Sequence, residues 1–133
     1  MRVIFLDDSS SRQCVMKSML PCIVQTETAD ETIEEIQKNP TVDYLFLDHD
    51  LGGQVYVDSN EHNTGMTVAK WIVEHKEEVD IGYVIVHSFN PAGAMNMYNE
   101  LKRDFEVDIC KFKSFEFVVF VNSLEERRAK END

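Results

Sequence analysis

The sequence predicts a doubly wound α/β domain, with five parallel strands in the order 2-1-3-4-5 and helices on both faces. Three observations predict it. Short apolar runs alternate with segments whose apolar residues recur at helical spacing, the pattern of a parallel sheet covered on both sides. Capping or breaking residues separate each run from its helix. The runs then stop abruptly at acids, histidine, serine or lysine, as strands do whose carboxyl ends meet at one crevice. The 133 residues suit a single domain over 1–133, and a hydrophobic fraction of 43% suits a packed core rather than disorder.

Arg2 to Leu6 is the first strand. Ser9, Ser10 or Ser11 caps a helix that runs to about Leu20, with Val15, Met16 and Met19 on its apolar side, and Pro21 ends it. Cys22 to Thr26 is strand two. Thr28 or Asp30 caps the second helix, Ile33 and Ile36 point inward, and Asn39-Pro40 stops it. Tyr44 to Leu47 is strand three, followed by a long polar loop from Asp50 to Asn63. Helix three begins near Thr64 and buries Val68, Ala69, Trp71 and Ile72. Gly82 to Val86 is strand four. Asn90-Pro91 opens helix four, which carries Ala94, Tyr98 and Leu101 at helical spacing. Phe105 to Cys110 is strand five. Ser114 caps a last helix that uses Phe117, Phe120, Val121 and Leu124; its β-branched and aromatic residues also allow a short strand first.

Charge and composition narrow the function. A net charge of -12 excludes broad duplex DNA binding, which needs basic residues to replace counterions. It also means that a phosphate ligand needs a bound cation or a few well-placed donors. No apolar run approaches the roughly 20 residues that span a bilayer. The start, Met1 to Asp8, reads as a buried strand and not as a signal peptide. Cys14, Cys22 and Cys110 are odd in number and lack C-x-x-C spacing, which fits free thiols and a cytoplasmic location. No pattern specifies an oligomeric state.

The strand ends bring candidate chemistry together: Asp7-Asp8 after strand one, Asp48-His49-Asp50 after strand three, His87-Ser88 after strand four and Lys111 after strand five. Two unit charges at about 4 Å repel by roughly 4 kcal/mol at an effective dielectric of 20, so such acids protonate, diverge or recruit a cation. Mg²⁺ or Mn²⁺ suits oxygen ligands from Asp7, Asp8, Asp48 and Asp50, with one of each neighbouring pair pointing away from the other. Helix capping by Asp7 and Asp8, and a turn at Asp48 and Asp50, is the alternative. Lys111, the Ser88 hydroxyl, Asn90 and the helix start near Gly93 suit phosphate oxygens. Asn90 caps its helix in either case. His49 and His87 are candidate proton carriers or structural groups. There is no P-loop, no H-E-x-x-H and no G-x-S-x-G.

Leu6-Asp7-Asp8, Asp48, Ser88 and Lys111 resemble the acidic pair, phosphoacceptor, hydroxyl residue and lysine of response-regulator receiver domains, a flavodoxin-like fold. Gly52 stands where proline is usual, Phe112 follows Lys111 where proline is usual, and the loop after Asp50 is long. L-D-H-D-L-G at 47–52 and V-H-S-F-N-P-A-G at 86–93 are similar to a narrower group, the cyclic-phosphate processing receiver family. Ser9-Ser10-Ser11-Arg12 stands where relatives often carry Glu-Arg directly, which leaves the role of Arg12 open. The resemblance implies metal-dependent hydrolysis or binding of cyclic or terminal phosphates of nucleotides or RNA ends. In that reading Asp48, His49, His87, Ser88 and Lys111 are catalytic. A phosphoacceptor receiver in signalling and a non-catalytic cyclic-nucleotide sensor or sponge are the alternatives.

Overall fold

The computed structural model describes residues 1–131. Strands and helices alternate throughout: β1 Val3–Leu6, α1 Ser10–Met19, β2 Ile23–Thr26, α2 Ala29–Lys38, β3 Thr41–Leu47, α3 Gly65–Glu74, β4 Asp80–Val86, α4 Pro91–Leu101, β5 Val107–Ile109 and α5 Phe115–Glu131. The strands are parallel and ordered β2-β1-β3-β4-β5, as the alternation predicts. No helix among the described residues is long and apolar enough to cross a membrane.

The sheet separates two apolar layers. Ile4, Leu6, Leu45, Leu47, Val84 and Val86 face α2, α3 and α4, while Val3, Phe5, Phe46 and Ile85 face α1 and α5. This is the period-two alternation of strand side chains, with both faces covered. In α4 Ala94 and Leu101 are buried as expected, together with Met97, while Tyr98 sits half-buried. In α2 the buried positions are Ala29, Thr32 and Ile36, with Ile33 packed at the margin.

Three segments differ from their sequence expectations. β3 and β4 begin earlier, at Thr41 and Asp80, because Thr41 pairs with Asp80 and Val42 with Ile81 at the amino edge. β5 is shorter, since it lies at the sheet edge and pairs with β4 only from Val107 to Ile109. No short strand precedes α5. Phe117, Val121 and Leu124 are all buried at helical spacing, so packing overrides their strand preference. The Ser114 hydroxyl accepts from the Phe117 N–H and caps this helix. Ser9 caps α1, Thr28 caps α2 and Asn90 caps α4, each by accepting a first-turn N–H, with Pro91 following Asn90.

The long loop is pinched where it matters. Asp50 bridges to Thr64, and the Gly65 N–H donates to the His49 carbonyl at 3.0 Å. A Cβ at Gly65 would stand 1.9 Å from the Asp48 carbonyl oxygen, so only glycine allows α3 to start this close to the end of β3.

Candidate functional site

The strand register builds the site. Phe5, Phe46 and Ile85 form one row across β1, β3 and β4. Two residues further along, the same pleat carries Asp7, Asp48 and His87 on the same face of the sheet. All three are buried, and one donor atom from each lies within 4.8 Å of the others. Oxygen donors and an imidazole at this spacing form a potential cation site.

Asp7 is the most heavily bonded of the three. Its Oδ1 accepts from the Ser9 N–H at 2.9 Å and from Arg12 Nη2 at 2.9 Å. Its Oδ2 accepts from Arg12 Nε at 2.8 Å and from His87 Nε2 at 3.0 Å. Burial pushes this carboxyl up, but the hydrogen bonds from His87 and Arg12 outweigh it and hold it below the ordinary value of 3.8. An ionised Asp7 only accepts, so Nε2 of His87 carries the proton. The His87 ring stacks on Phe5 with centroids 4.6 Å apart, flanked by Phe46, Phe112 and Phe117. Its Nδ1 is buried without a partner among the described residues.

Asp48 has fewer partners. Its Oδ1 accepts from the His49 N–H at 2.9 Å, and its Oδ2 stands 3.6 Å from the Arg12 guanidinium. Burial pushes it up to about 6; His87 and Arg12 pull it back while the Asp7 charge adds to the rise. Asp8, less buried, accepts from the Gly53 N–H and lies 3.8 Å from Arg12. Asp8, Arg12, Asp48, Gly53, Ser88 and Phe89 line a cleft of about 460 Å³ beyond the carboxyl ends of the strands.

The other predicted site residues lie elsewhere or are engaged within the chain. The His49 ring is buried on the opposite face of the sheet, against α4. Its Nδ1 is 2.8 Å from Asp50 Oδ1 and its Nε2 is 2.9 Å from Ser59 Oγ. A Cβ on Gly93 would come within 2.4 Å of this ring. Asp50 borders the cleft, but its oxygens accept from His49, the Asn90 amide and the Tyr56 and Val57 N–H groups. Burial raises the Asp50 carboxyl, yet these bonds bring it below its ordinary value. The Gly93 N–H is taken by Asn90 Oδ1 at 3.0 Å, so Asn90 and Gly93 serve the helix start. Ser88 lines the cleft with its hydroxyl accepting from the Asn90 N–H. Lys111 is exposed in the turn after β5, does not line the cleft and forms no ion pair with a described carboxylate. The sequence left Arg12 without a role; its position one helical turn after Asp8 was the signal that placed it near the acids.

This geometry meets a specific comparison. Residues 2–103 match the sequence profile of the cyclic-phosphate processing receiver domain. The chain belongs to that family. Solved structures of receiver domains share its fold. The response regulatory domain of protein mrkE from Klebsiella pneumoniae superposes with a TM-score of 0.59 at 18% identity, covering 100% of both chains. The Mn²⁺-bound form of response regulator Rcp1 gives 0.60 at 14% identity, over 94% of this chain and 91% of that one. The phosphorylated cyanobacterial phytochrome response regulator RcpA gives 0.62 at 15%, with the same coverage. None of the curated proteins matches in sequence. The donor set also fits a hard divalent ion. Asp7, Asp8 and Asp48 are carboxylates gathered around a single guanidinium, whereas Asp50 has its oxygens committed to the loop.

Proposed function

We propose that this receiver domain processes cyclic or terminal phosphates of nucleotides or RNA ends, with Mg²⁺ or Mn²⁺ as cofactor. One observation carries the reading: Asp8 and Asp48, from two strand ends, line a cleft that also holds a guanidinium and a serine hydroxyl, with Asp7 buried on the same guanidinium. The family's description supports cyclic phosphate as the ligand, and the Mn²⁺-bound Rcp1 structure supports the cofactor. Asp7, Asp8 and Asp48 would hold the ion. When bound, the ion supplies positive charge that polarises a phosphoryl oxygen. Ser88 donates its hydroxyl to a second oxygen.

Both histidine rings are buried and absent from the lining of the cleft that Asp48 borders, so in this reading they position the acids instead of meeting substrate. His87 orients Asp7, and His49 braces Asp50 and the loop. The test is a screen of cyclic nucleotides and RNA 2′,3′-cyclic ends with added Mg²⁺ or Mn²⁺, followed by product analysis. Ring-opened or dephosphorylated product is expected. Tight binding without product would make the protein a sensor or sponge, and neither binding nor product would refute the reading.

A second reading, a phosphoacceptor in signalling, is favoured by the position of Asp48 at the end of β3, facing the cleft. There the Asp48 carboxylate would attack phosphorus and expel the donor's leaving group. Acetyl phosphate separates the two: a long-lived, stoichiometric, base-labile adduct on Asp48 supports signalling, and little stable label supports processing.

A further inference from the structure

The cleft has a single basic side chain. Among the residues that line it, Arg12 alone is cationic. The same guanidinium is the counter-ion of three acids: it grips Asp7 through Nε and Nη2, and stands 3.6 Å from Asp48 and 3.8 Å from Asp8. One cation therefore lies where a divalent ion would have to neutralise the carboxylates, and it is also the cleft's one charged donor for an anion. We propose that Arg12 is an exchangeable counter-ion. It occupies the acids in the resting site, gives them up to a divalent cation, and turns into the cleft to ligate phosphoryl oxygens.

Asp7 makes this exchange necessary. Each of its oxygens already accepts two hydrogen bonds, and one bond on each comes from Arg12. Lone-pair capacity for a metal appears only when the guanidinium leaves. The contacts to Asp48 and Asp8 are beyond hydrogen-bond length, so there Arg12 acts as a charge that a divalent ion replaces. The movement needs only a side chain. The Arg12 N–H is fixed to the Ser9 hydroxyl in the first turn of α1, while the guanidinium arm is 33% exposed and borders the cleft. A planar fork suits both positions, since it pairs in parallel bonds with a carboxylate or with a phosphate.

The opposing account makes Arg12 a permanent clamp that shapes Asp7 for the metal. The two differ in sign. With a clamp, removing Arg12 weakens metal binding; with an exchangeable counter-ion, removing it strengthens binding. The inference rests on the proposed function only for the identity of the anion. Calorimetric titration of Mg²⁺ into chelator-stripped wild type and Arg12→Gln, without phosphate, should show the variant binding about tenfold more tightly, equal to about 1.4 kcal/mol. Inorganic phosphate titrated into the Mg²⁺-loaded proteins should bind the variant about tenfold more weakly. Unchanged or weaker Mg²⁺ binding in the variant overturns the proposal, as does unchanged phosphate binding or Mg²⁺ binding by neither protein. Should Arg12→Gln fail to melt cooperatively, Arg12→Lys decides. A point donor cannot hold both Asp7 oxygens, so Mg²⁺ should again bind more tightly than in wild type, and equal or weaker binding overturns the proposal. These equilibria are independent of turnover: the expected shifts in a protein that neither binds nor cleaves cyclic phosphate would refute the proposed function and leave this inference standing.

Discussion

Asp48→Asn removes a buried charge while keeping the side chain's shape. The Asp48 carboxyl is pushed from 3.8 up to about 6, chiefly by burial. Its folded value exceeds its unfolded one, so the folded state holds the proton more tightly and ionisation destabilises it. The cost is absent below about pH 4, grows as pH rises towards 6, and is complete above that. At about 1.4 kcal/mol per pH unit it reaches about 3 kcal/mol. The variant should therefore be the more stable protein at pH 7, by about 3 kcal/mol or roughly 10 °C in melting temperature. That figure is an upper bound, because an amide gives up the attraction to Arg12 at 3.6 Å. The introduced amide keeps an oxygen for the His49 N–H, so no backbone group is orphaned. Thermal and urea melts of both proteins in chelator, from pH 4 to 7.5, measure the difference. A gap that does not grow with pH, or a variant less stable at pH 7, would refute the electrostatic account.

Three further outcomes are expected. Mg²⁺ or Mn²⁺ should raise the melting temperature of the wild type through linkage to the folded state, and Asp48→Asn should lose most of that rise; an equal rise in both would remove Asp48 from the ligands. Gly93→Ala should cost about 1–3 kcal/mol in urea unfolding, because its Cβ would meet the His49 ring at 2.4 Å; a neutral result would mean that the ring moves readily. His87→Ala should cost about 2–4 kcal/mol, as the ring fills space between Phe5 and Phe117 and donates to Asp7. A fall in turnover with stability intact would instead bring His87 into contact with substrate.

The sheet order and the acidic strand ends were legible because both follow from local pattern. Apolar runs name the strands, and the residue after each run must sit at the carboxyl edge. Facing was harder to read. His49 and His87 look equivalent in sequence, each beside an acid at a strand end. The register separates them: His87 shares the row of Asp7 and Asp48, while His49 is one residue past that row and turns to α4. Arg12 was only partly legible: its i, i+4 spacing from Asp8 sets it near the acids, but its grip on Asp7 depends on how α1 leaves the sheet after Ser9. Lys111 was read from its place just after strand five, but spacing does not say where an exposed lysine in that turn points. The aromatic run in α5 favours strand locally, and only the cluster around Phe46 and Phe117 makes it helical.

Because the chemistry continues the pleat of the core, the two cannot be edited separately. Deleting one residue within β1 would carry Asp8 into the place of Asp7 and invert the apolar faces of the strand at once. Changes of length are confined to segments beyond the frame. The largest of these, 51–63, is closed off by the Asp50–Thr64 bridge, so insertions there leave the acids where they are. That segment also supplies Gly53 and Val55 to the cleft wall. Lineages of this domain are thus free to reshape what the cleft admits by lengthening one loop, while the strands that carry the acids keep a fixed count.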